Sequence, residues 1–173
     1  MNNTLRSGLL HADHSESVAE AIDNLGRNLL TQNHAENKLL VRLFFRAIDA
    51  RDSAALYQYV SVDYLDHNPQ FPNLPSGIEG LRRGFEIALG AWSDVHHEVL
   101  DQIAEGDKVV SRISTYGIHV GEFLGVPATN KRITMSGIAI HRIANGRLAE
   151  HWANIDQVGV LVQLGIFPCP PPA

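Results

Sequence analysis

Residues 132–156 read RITMSGIAIHRIANGRLAEHWANID and predict a β-hairpin. Apolar and polar residues alternate on both sides of Asn145-Gly146. Asn-Gly between two alternating runs is the strongest local hairpin signal, because both residues tolerate positive φ. A two-residue turn at this point would pair Ala144 with Arg147, and every later pair along the two strands follows from that first one.

That register predicts which side chains share a face, because successive residues of a strand point to opposite sides. One face would carry the pairs His141–Glu150, Ala139–Trp152, Gly137–Asn154 and Met135–Asp156. Small residues opposite a tryptophan leave space, so we interpret this face as the wall of a cavity that holds a carboxylate. The other face would hold Ile138, Ile140, Ala153 and Ile155 as packing or as a partner surface, and His141 and His151 would point to opposite faces.

Two of these residues have a plainer interpretation. Asp is a preferred N-cap, so Asp156 could instead cap a helix over residues 157–164. Trp152 could be filler in an ordinary core.

The rest of the chain predicts an α+β fold, with helices first and strands after. Helical spacing covers Ser15–Leu30 with a cap at Ser15 or Ser17, and Asn33-His34-Ala35-Glu36 has the spacing of a capping box that opens a second helix. Further helices are expected from Asp52 or Ser53, and from Ser76 or Gly77 to about Gly90. A brief strand follows Ser61, and alternation predicts strands over 95–104, 108–119, 132–143 and 148–158.

We therefore expect a curved, cone-shaped antiparallel sheet, packed against the N-terminal helices around an apolar pocket. Three parts are predicted along the chain. Residues 1–32 form an extension with one helix, residues 33–167 form the domain, and residues 168–173 form a proline-rich tail.

Composition excludes several classes of protein. The chain has 173 residues, a net charge of −5 and 45% hydrophobic residues, which is typical of one globular domain. An acidic chain lacks the clustered cations that nucleic-acid binding needs. No apolar run reaches the roughly 18 residues of a membrane span, and Met1–His14 lacks the features of a secretory signal. The single cysteine, Cys169, excludes an internal disulfide and a cysteine zinc site. We expect a cytoplasmic protein that binds neither nucleic acid nor membrane.

Arg112 lies in the middle of a predicted strand, where a buried arginine would need a carboxylate partner. The alternative is a surface arginine on a solvent-facing strand. The histidines are too scattered for the three protein ligands of a catalytic zinc, so no metal site is predicted. The sequence has no glycine-rich phosphate loop and no serine-hydrolase elbow.

Four ordered motifs resemble the SnoaL-like polyketide cyclase family, which belongs to the nuclear-transport-factor-2-like superfamily. They are Tyr64-x-x-His67-Asn68-Pro69, the segment Glu105–Arg112, the segment Gly117–Thr129, and the segment Ser136–Asp156 with its Glu150-His151-Trp152. The resemblance runs from about Asn33 to Leu164. Ile118, Asn130, Met135 and Ala139 depart from the residues that are usual in the family.

The resemblance implies enolate chemistry without metal or organic cofactor: an Asp removes a proton α to a carbonyl, and the enolate closes a ring by intramolecular aldol addition. Asp156 matches that Asp by position, and burial beside Trp152 would raise its pKa toward that of a useful base. His67 and Asn68, with Asn154, are the predicted donors to the enolate oxygen. Further residues are predicted to contact a small, largely apolar substrate, namely Trp152, Asn154, His119, Arg112, Phe123 and Met135. The resemblance also implies a homodimer, or a higher homo-oligomer, through the sheet face.

Two other functions stay open on the sequence. One is a non-catalytic protein of the same fold that binds a small apolar ligand. The other is an epoxide-hydrolase-like enzyme, in which Arg112 would serve between two acids, although Ser114 stands where the second acid would be expected.

Overall fold

The computed structural model describes residues 18–168 as four helices and five strands. In chain order these are α1 Val18–Asp49, α2 Ser53–Tyr59, β1 Val60–Asp66, α3 Gly77–Ala91, β2 Trp92–Glu105, β3 Lys108–His119, β4 Arg132–Ala144, β5 Arg147–Ile155 and α4 Gln157–Leu164. The predicted caps Ser15 and Ser17, and Cys169 with residues 170–173, lie outside the described residues. None of the described helices is both long enough and apolar enough to cross a membrane.

The first two predicted helices are one continuous helix, so the predicted break before Asn33 is wrong. No proline or glycine interrupts residues 27–49, and Gln32 donates a hydrogen bond to Glu36 across the expected boundary. The spacing of a capping box also fits a helix interior, where residues three and four apart are neighbours. The division between an extension and a domain at residue 32 stays a prediction.

The sheet has the order β1-β5-β4-β3-β2. Strands β2 to β5 are antiparallel as predicted, but β1 pairs with β5 in parallel, so the sheet is mixed. Helices α1, α2 and α3 cover one face of the sheet, and the main core lies between the helices and this face, with Phe44, Ile48 and Leu148 among its buried members. A second core around Trp92, Phe123 and Val160 closes the other end. The α+β prediction is confirmed.

The hairpin forms at Asn145-Gly146, where both residues have positive φ and Ala144 pairs with Arg147. The predicted register holds for one further pair, Ile143 with Leu148, and then fails. A bulge leaves Ala149 without a partner, and the register continues as Arg142 with Glu150. One extra residue in one strand turns all later side chains of that strand to the opposite face.

The bulge reverses the predicted faces of β5. His141 pairs with His151, Ala139 with Ala153 and Gly137 with Ile155, and these residues face the helices. Trp152 lies on the outer face beside Ile138 and Ile140. The predicted pairings of Met135 through His141, and the prediction that the two histidines point apart, are therefore wrong.

Candidate functional site

A cavity of about 700 Å³ lies between the helix-covered face of the sheet and helices α1 and α3. Its walls are mostly apolar, with Phe44, Phe85, Ile113 and Met135 among them, and the loop after β1 forms one side. This volume falls in the range of small-molecule sites, which are typically apolar with a few placed polar groups. The polar groups on the cavity wall are therefore the candidate functional residues.

Asp66 and His151 form a polar pair on this wall. Parallel pairing of β1 with β5 sets them side by side, and Oδ1 of Asp66 accepts a hydrogen bond from Nδ1 of His151 at 3.2 Å. Burial, the largest influence, raises the pKa of Asp66, but the hydrogen bond and charge of His151 and the backbone N–H of Asn68 together bring it below its ordinary value. An ionised Asp66 holds the proton on Nδ1, and no group among residues 18–168 bonds Nε2 of His151.

Two buried side chains flank the ring of His151. The ring of Tyr64 stacks on it at 6.5 Å, and the ring of His141 lies 4.9 Å away. The Tyr64 hydroxyl and both ring nitrogens of His141 are buried without a partner among the described residues. Burial, reinforced by the charge of Asp66, raises the pKa of Tyr64 well above 10, so its hydroxyl stays a donor. Burial, and then the neighbouring His151, lowers the pKa of His141 well below 6.5, so this ring is neutral.

A second aspartate–histidine pair, Asp49 with His97, reaches the same cavity from α1 and β2. Nδ1 of His97 lies 2.5 Å from Oδ1 of Asp49, and the backbone N–H of His97 donates to Oδ2 at 2.9 Å. The ring of His97 lines the cavity and stacks on Phe45 at 5.2 Å.

Asp156 is not among the residues that line the cavity. It is exposed at the start of α4, where its Oδ1 accepts a hydrogen bond from the backbone N–H of Gly159 at 2.8 Å. Asp156 is therefore the N-cap of α4, which was the alternative to a role as the base. The expectation that Asp156 is desolvated beside Trp152 is wrong, because the bulge moves Trp152 to the outer face and Asp156 lies beyond the last residue of β5.

Three further predicted residues lie away from the cavity on the outer face. The ring of His67 stacks on Trp152 at 4.2 Å, and its Nε2 lies 2.8 Å from Oε2 of Glu150. Arg112 is exposed, on the opposite side of β3 from the cavity-lining Ile113. His67, Trp152 and Arg112 therefore lie on the outer surface of the sheet and not at the cavity. An epoxide-opening role for Arg112 has no support in the structure.

Four predicted residues do line the cavity: Asn68, Phe123, Met135 and Asn154. Asn68 also ties the loop to β5, because its amide bonds both the carbonyl and the N–H of Ala153. Roles for these four in binding stay predictions.

His119 is fully buried in the second core rather than on the cavity wall, with its ring 4.7 Å from that of Trp92. Its Nδ1 meets the hydroxyl of Thr129 at 3.1 Å, and burial lowers its pKa below 6.5. The predicted lining role for His119 is wrong, because its strand ends where Trp92 and Phe123 cover it.

Sequence reasoning missed the polar groups that the cavity brings together. They are Tyr64, Asp66, His97, His141 and His151 on its wall, with Asp49 bound to His97. Two of them, Tyr64 and Asp66, lie in or beside the motif that ends at Pro69, so that motif was a usable signal. His151 also lies in a motif, Glu150-His151-Trp152, but without the bulge the register placed it on the face opposite the cavity.

The cavity and its polar groups define an α+β domain with a candidate small-molecule site, and comparisons with known proteins identify its family. The SnoaL-like polyketide cyclase family model matches residues 38–164. The aklanonic acid methyl ester cyclase DauD of Streptomyces sp. (strain C5) is 31% identical over 126 residues, which are 68% of this chain and 76% of the relative. The nogalonic acid methyl ester cyclase of Streptomyces nogalater is 30% identical, over 62% of this chain and 81% of that one.

The structure of TsrD from Streptomyces laurentii superposes with a TM-score of 0.71 at 32% identity, and the match covers 77% of this chain and 97% of TsrD. The protein belongs to the SnoaL-like polyketide cyclase family. The predicted family and fold are confirmed, and the relatives support a polyketide cyclase function over the binding-only and epoxide-hydrolase alternatives.

Proposed function

We propose that this protein is a cofactor-independent cyclase that closes a ring in a polyketide ester, with His151 as its base. The observation that carries the proposal is the Asp66–His151 pair on the wall of an apolar cavity. A carboxylate that holds one ring nitrogen fixes the tautomer, so the other nitrogen is free to accept a proton.

In the proposed first step, Nε2 of His151 removes a proton α to a carbonyl of the substrate. The charge that develops is on the carbonyl oxygen of the enolate, and a positioned donor must stabilise it. Tyr64 fits this role, because its hydroxyl is buried beside His151, is protonated and has no partner among the described residues. It replaces His67 and Asn68 as the proposed donor.

The substrate class follows from the cavity and from the relatives. Apolar walls and a volume of about 700 Å³ suit a largely apolar molecule of several rings' size. Relatives named for aklanonic acid methyl ester and nogalonic acid methyl ester support an ester of a polyketide acid. Every step transfers protons or forms a carbon–carbon bond, so the proposal needs no metal or organic cofactor.

The test separates His151 from Asp156. The purified protein is given each of the two esters in D₂O, with deuterium exchange at the α carbon followed by mass spectrometry. The cyclised product has the same mass as the substrate, so it is followed by chromatography. His151→Gln is expected to lose both reactions by about 10²- to 10⁴-fold, the typical contribution of a general base.

Asp156→Asn is the matched comparison, because Asn also caps helices and the substitution leaves the cavity unchanged. It is expected to keep wild-type rates. Full activity in His151→Gln, or loss of activity in a folded Asp156→Asn, would return the base to Asp156. A wild-type protein inert toward both esters would contradict the proposed function itself.

A further inference from the structure

We propose that His97, held by Asp49, is the general acid that protonates the alkoxide formed when the ring closes. The inference rests on the proposed function and extends it, because it assigns the second proton transfer of the reaction to a second pair in the same cavity.

Asp49 is built to hold a histidine ring. It is the last residue of α1, its side chain is only 17% exposed, and three nitrogen atoms lie close to its carboxylate. These are the backbone N–H of His97, Nδ1 of the same ring, and Nδ1 of His96 at 3.4 Å. With both its backbone and its ring bound to one carboxylate, His97 has a fixed orientation. Charge-assisted hydrogen bonds of this kind are the strong ones.

His97 places its remaining nitrogen at the cavity. The ring lines the cavity, is 13% exposed and stacks on Phe45. Its Nε2 has no partner among residues 18–168. Phe45 in turn meets His141 at 5.8 Å, and His141 meets His151. The rings of Phe45 and His141 thus lie between the two aspartate–histidine pairs. The histidine of each pair lines the same cavity.

The aldol step needs an acid as well as a base. One C–H bond breaks at the α carbon, and one C–C bond forms between that carbon and a second carbonyl carbon of the same molecule. The oxygen of the second carbonyl becomes an alkoxide and must receive a proton. The net change moves one proton from carbon to oxygen, with no oxidation or reduction, so an acid–base pair is sufficient.

The position of Tyr64 indicates which histidine is the base and which is the acid. Tyr64, the proposed donor to the enolate oxygen, lies against His151, so the enolate half of the substrate belongs on that side. The second carbonyl, whose carbon forms the new carbon–carbon bond, then lies on the side of His97. The carboxylate of Asp49 contacts Nδ1 of His97, so it can offset positive charge on the ring in this partly buried position.

The experiment measures the two halves of the reaction separately, with aklanonic acid methyl ester as the probe in D₂O. Exchange at the α carbon needs only the base, whereas ring closure needs the acid as well. His97→Asn is expected to lower ring closure by about 10²- to 10⁴-fold and to leave exchange within about twofold of the wild type. Asp49→Asn keeps the ring on Phe45 and is expected to give a smaller loss, again confined to ring closure.

His96→Asn is the matched control, because His96 touches the same carboxylate but is 67% exposed and does not line the cavity. It should change neither reaction. Ring closure at the wild-type rate in His97→Asn would overturn the inference, and so would equal loss of exchange and closure in Asp49→Asn. Failure of the proposed function is distinguishable, because the wild type would then give neither reaction and the inference would fall with it.

Discussion

At the scale of single residues, the cavity is marked by buried polar atoms that have no hydrogen-bond partner among residues 18–168. A buried hydroxyl without a partner costs on the order of 1–3 kcal/mol, so a protein gains stability by replacing it. Tyr64 and His141 both carry such atoms next to His151. In the proposed function, the cost at Tyr64 is offset in the complex, where its hydroxyl bonds the enolate oxygen.

Tyr64→Phe tests this directly, because it removes the hydroxyl and keeps the ring. We expect kcat to fall by about 10²- to 10³-fold, the usual cost of losing one oxyanion donor. The melting temperature should stay the same or rise, since no hydrogen bond to a described residue is lost. Steady-state kinetics with thermal melting checks both parts. A drop in melting temperature with unchanged kcat would instead make the hydroxyl structural.

At the scale of secondary-structure elements, the hairpin shows which features of a strand pair could be predicted from the sequence and which could not. Alternation and Asn145-Gly146 predicted both strands and the turn, and the first pairs were right. The bulge at Ala149 has no local signal, since Ala fits a regular strand equally well. Because the side-chain period is two, that one residue placed His151 beside His141 on the cavity face. Strand β3 pairs with β4 without a bulge, so its side chains alternate regularly along its length.

The start of α4 is a second case, in which one residue had two interpretations and tertiary structure chose between them. Asp156 binds the backbone N–H of Gly159, and a side chain at Gly159 would collide with that carboxylate, since an added Cβ would lie 2.2 Å from Oδ2. A carboxylate followed three residues later by Gly is therefore consistent with a cap.

Asp156→Ala should lower stability by about 1 kcal/mol, the typical value of an N-cap. That corresponds to about 2–4 °C in melting temperature for a domain of this size. Asp156→Asn should stay close to the wild type, because its side chain also caps. Calorimetry on the three proteins measures the difference, and equal melting temperatures for Ala and wild type would remove the capping role.

At the scale of the whole molecule, the candidate site joins residues that are far apart in the chain. Asp49 comes from the end of α1, His97 from β2, and His151 from β5. The family could be identified from motifs that are local in sequence. The cavity could not be assembled from them, because its polar groups meet only when α1 crosses the sheet and β1 pairs in parallel with β5.

Burial of His141 should also make the stability of the whole fold depend on pH. In the unfolded chain this ring takes up a proton near pH 6.5, whereas in the folded protein its pKa is well below that value. As the pH falls below about 6.5, the unfolded state binds a proton that the folded state does not, so the free energy of unfolding decreases. Asp66 acts in a lower window. Its lowered pKa adds stability above its ordinary pKa of 3.8, and that stability is lost as the pH falls through the folded value.

His141→Leu should therefore flatten the pH dependence of stability between pH 7 and pH 5.5. For one buried neutral histidine, the wild type is expected to lose about 1 kcal/mol more than the variant across that interval. Urea unfolding at the two pH values measures the difference. His96→Leu serves as the control for replacing a histidine by leucine, because the side chain of His96 is 67% exposed. Parallel losses in the wild type and His141→Leu would mean that His141 takes up its proton in the folded protein as readily as in the unfolded chain.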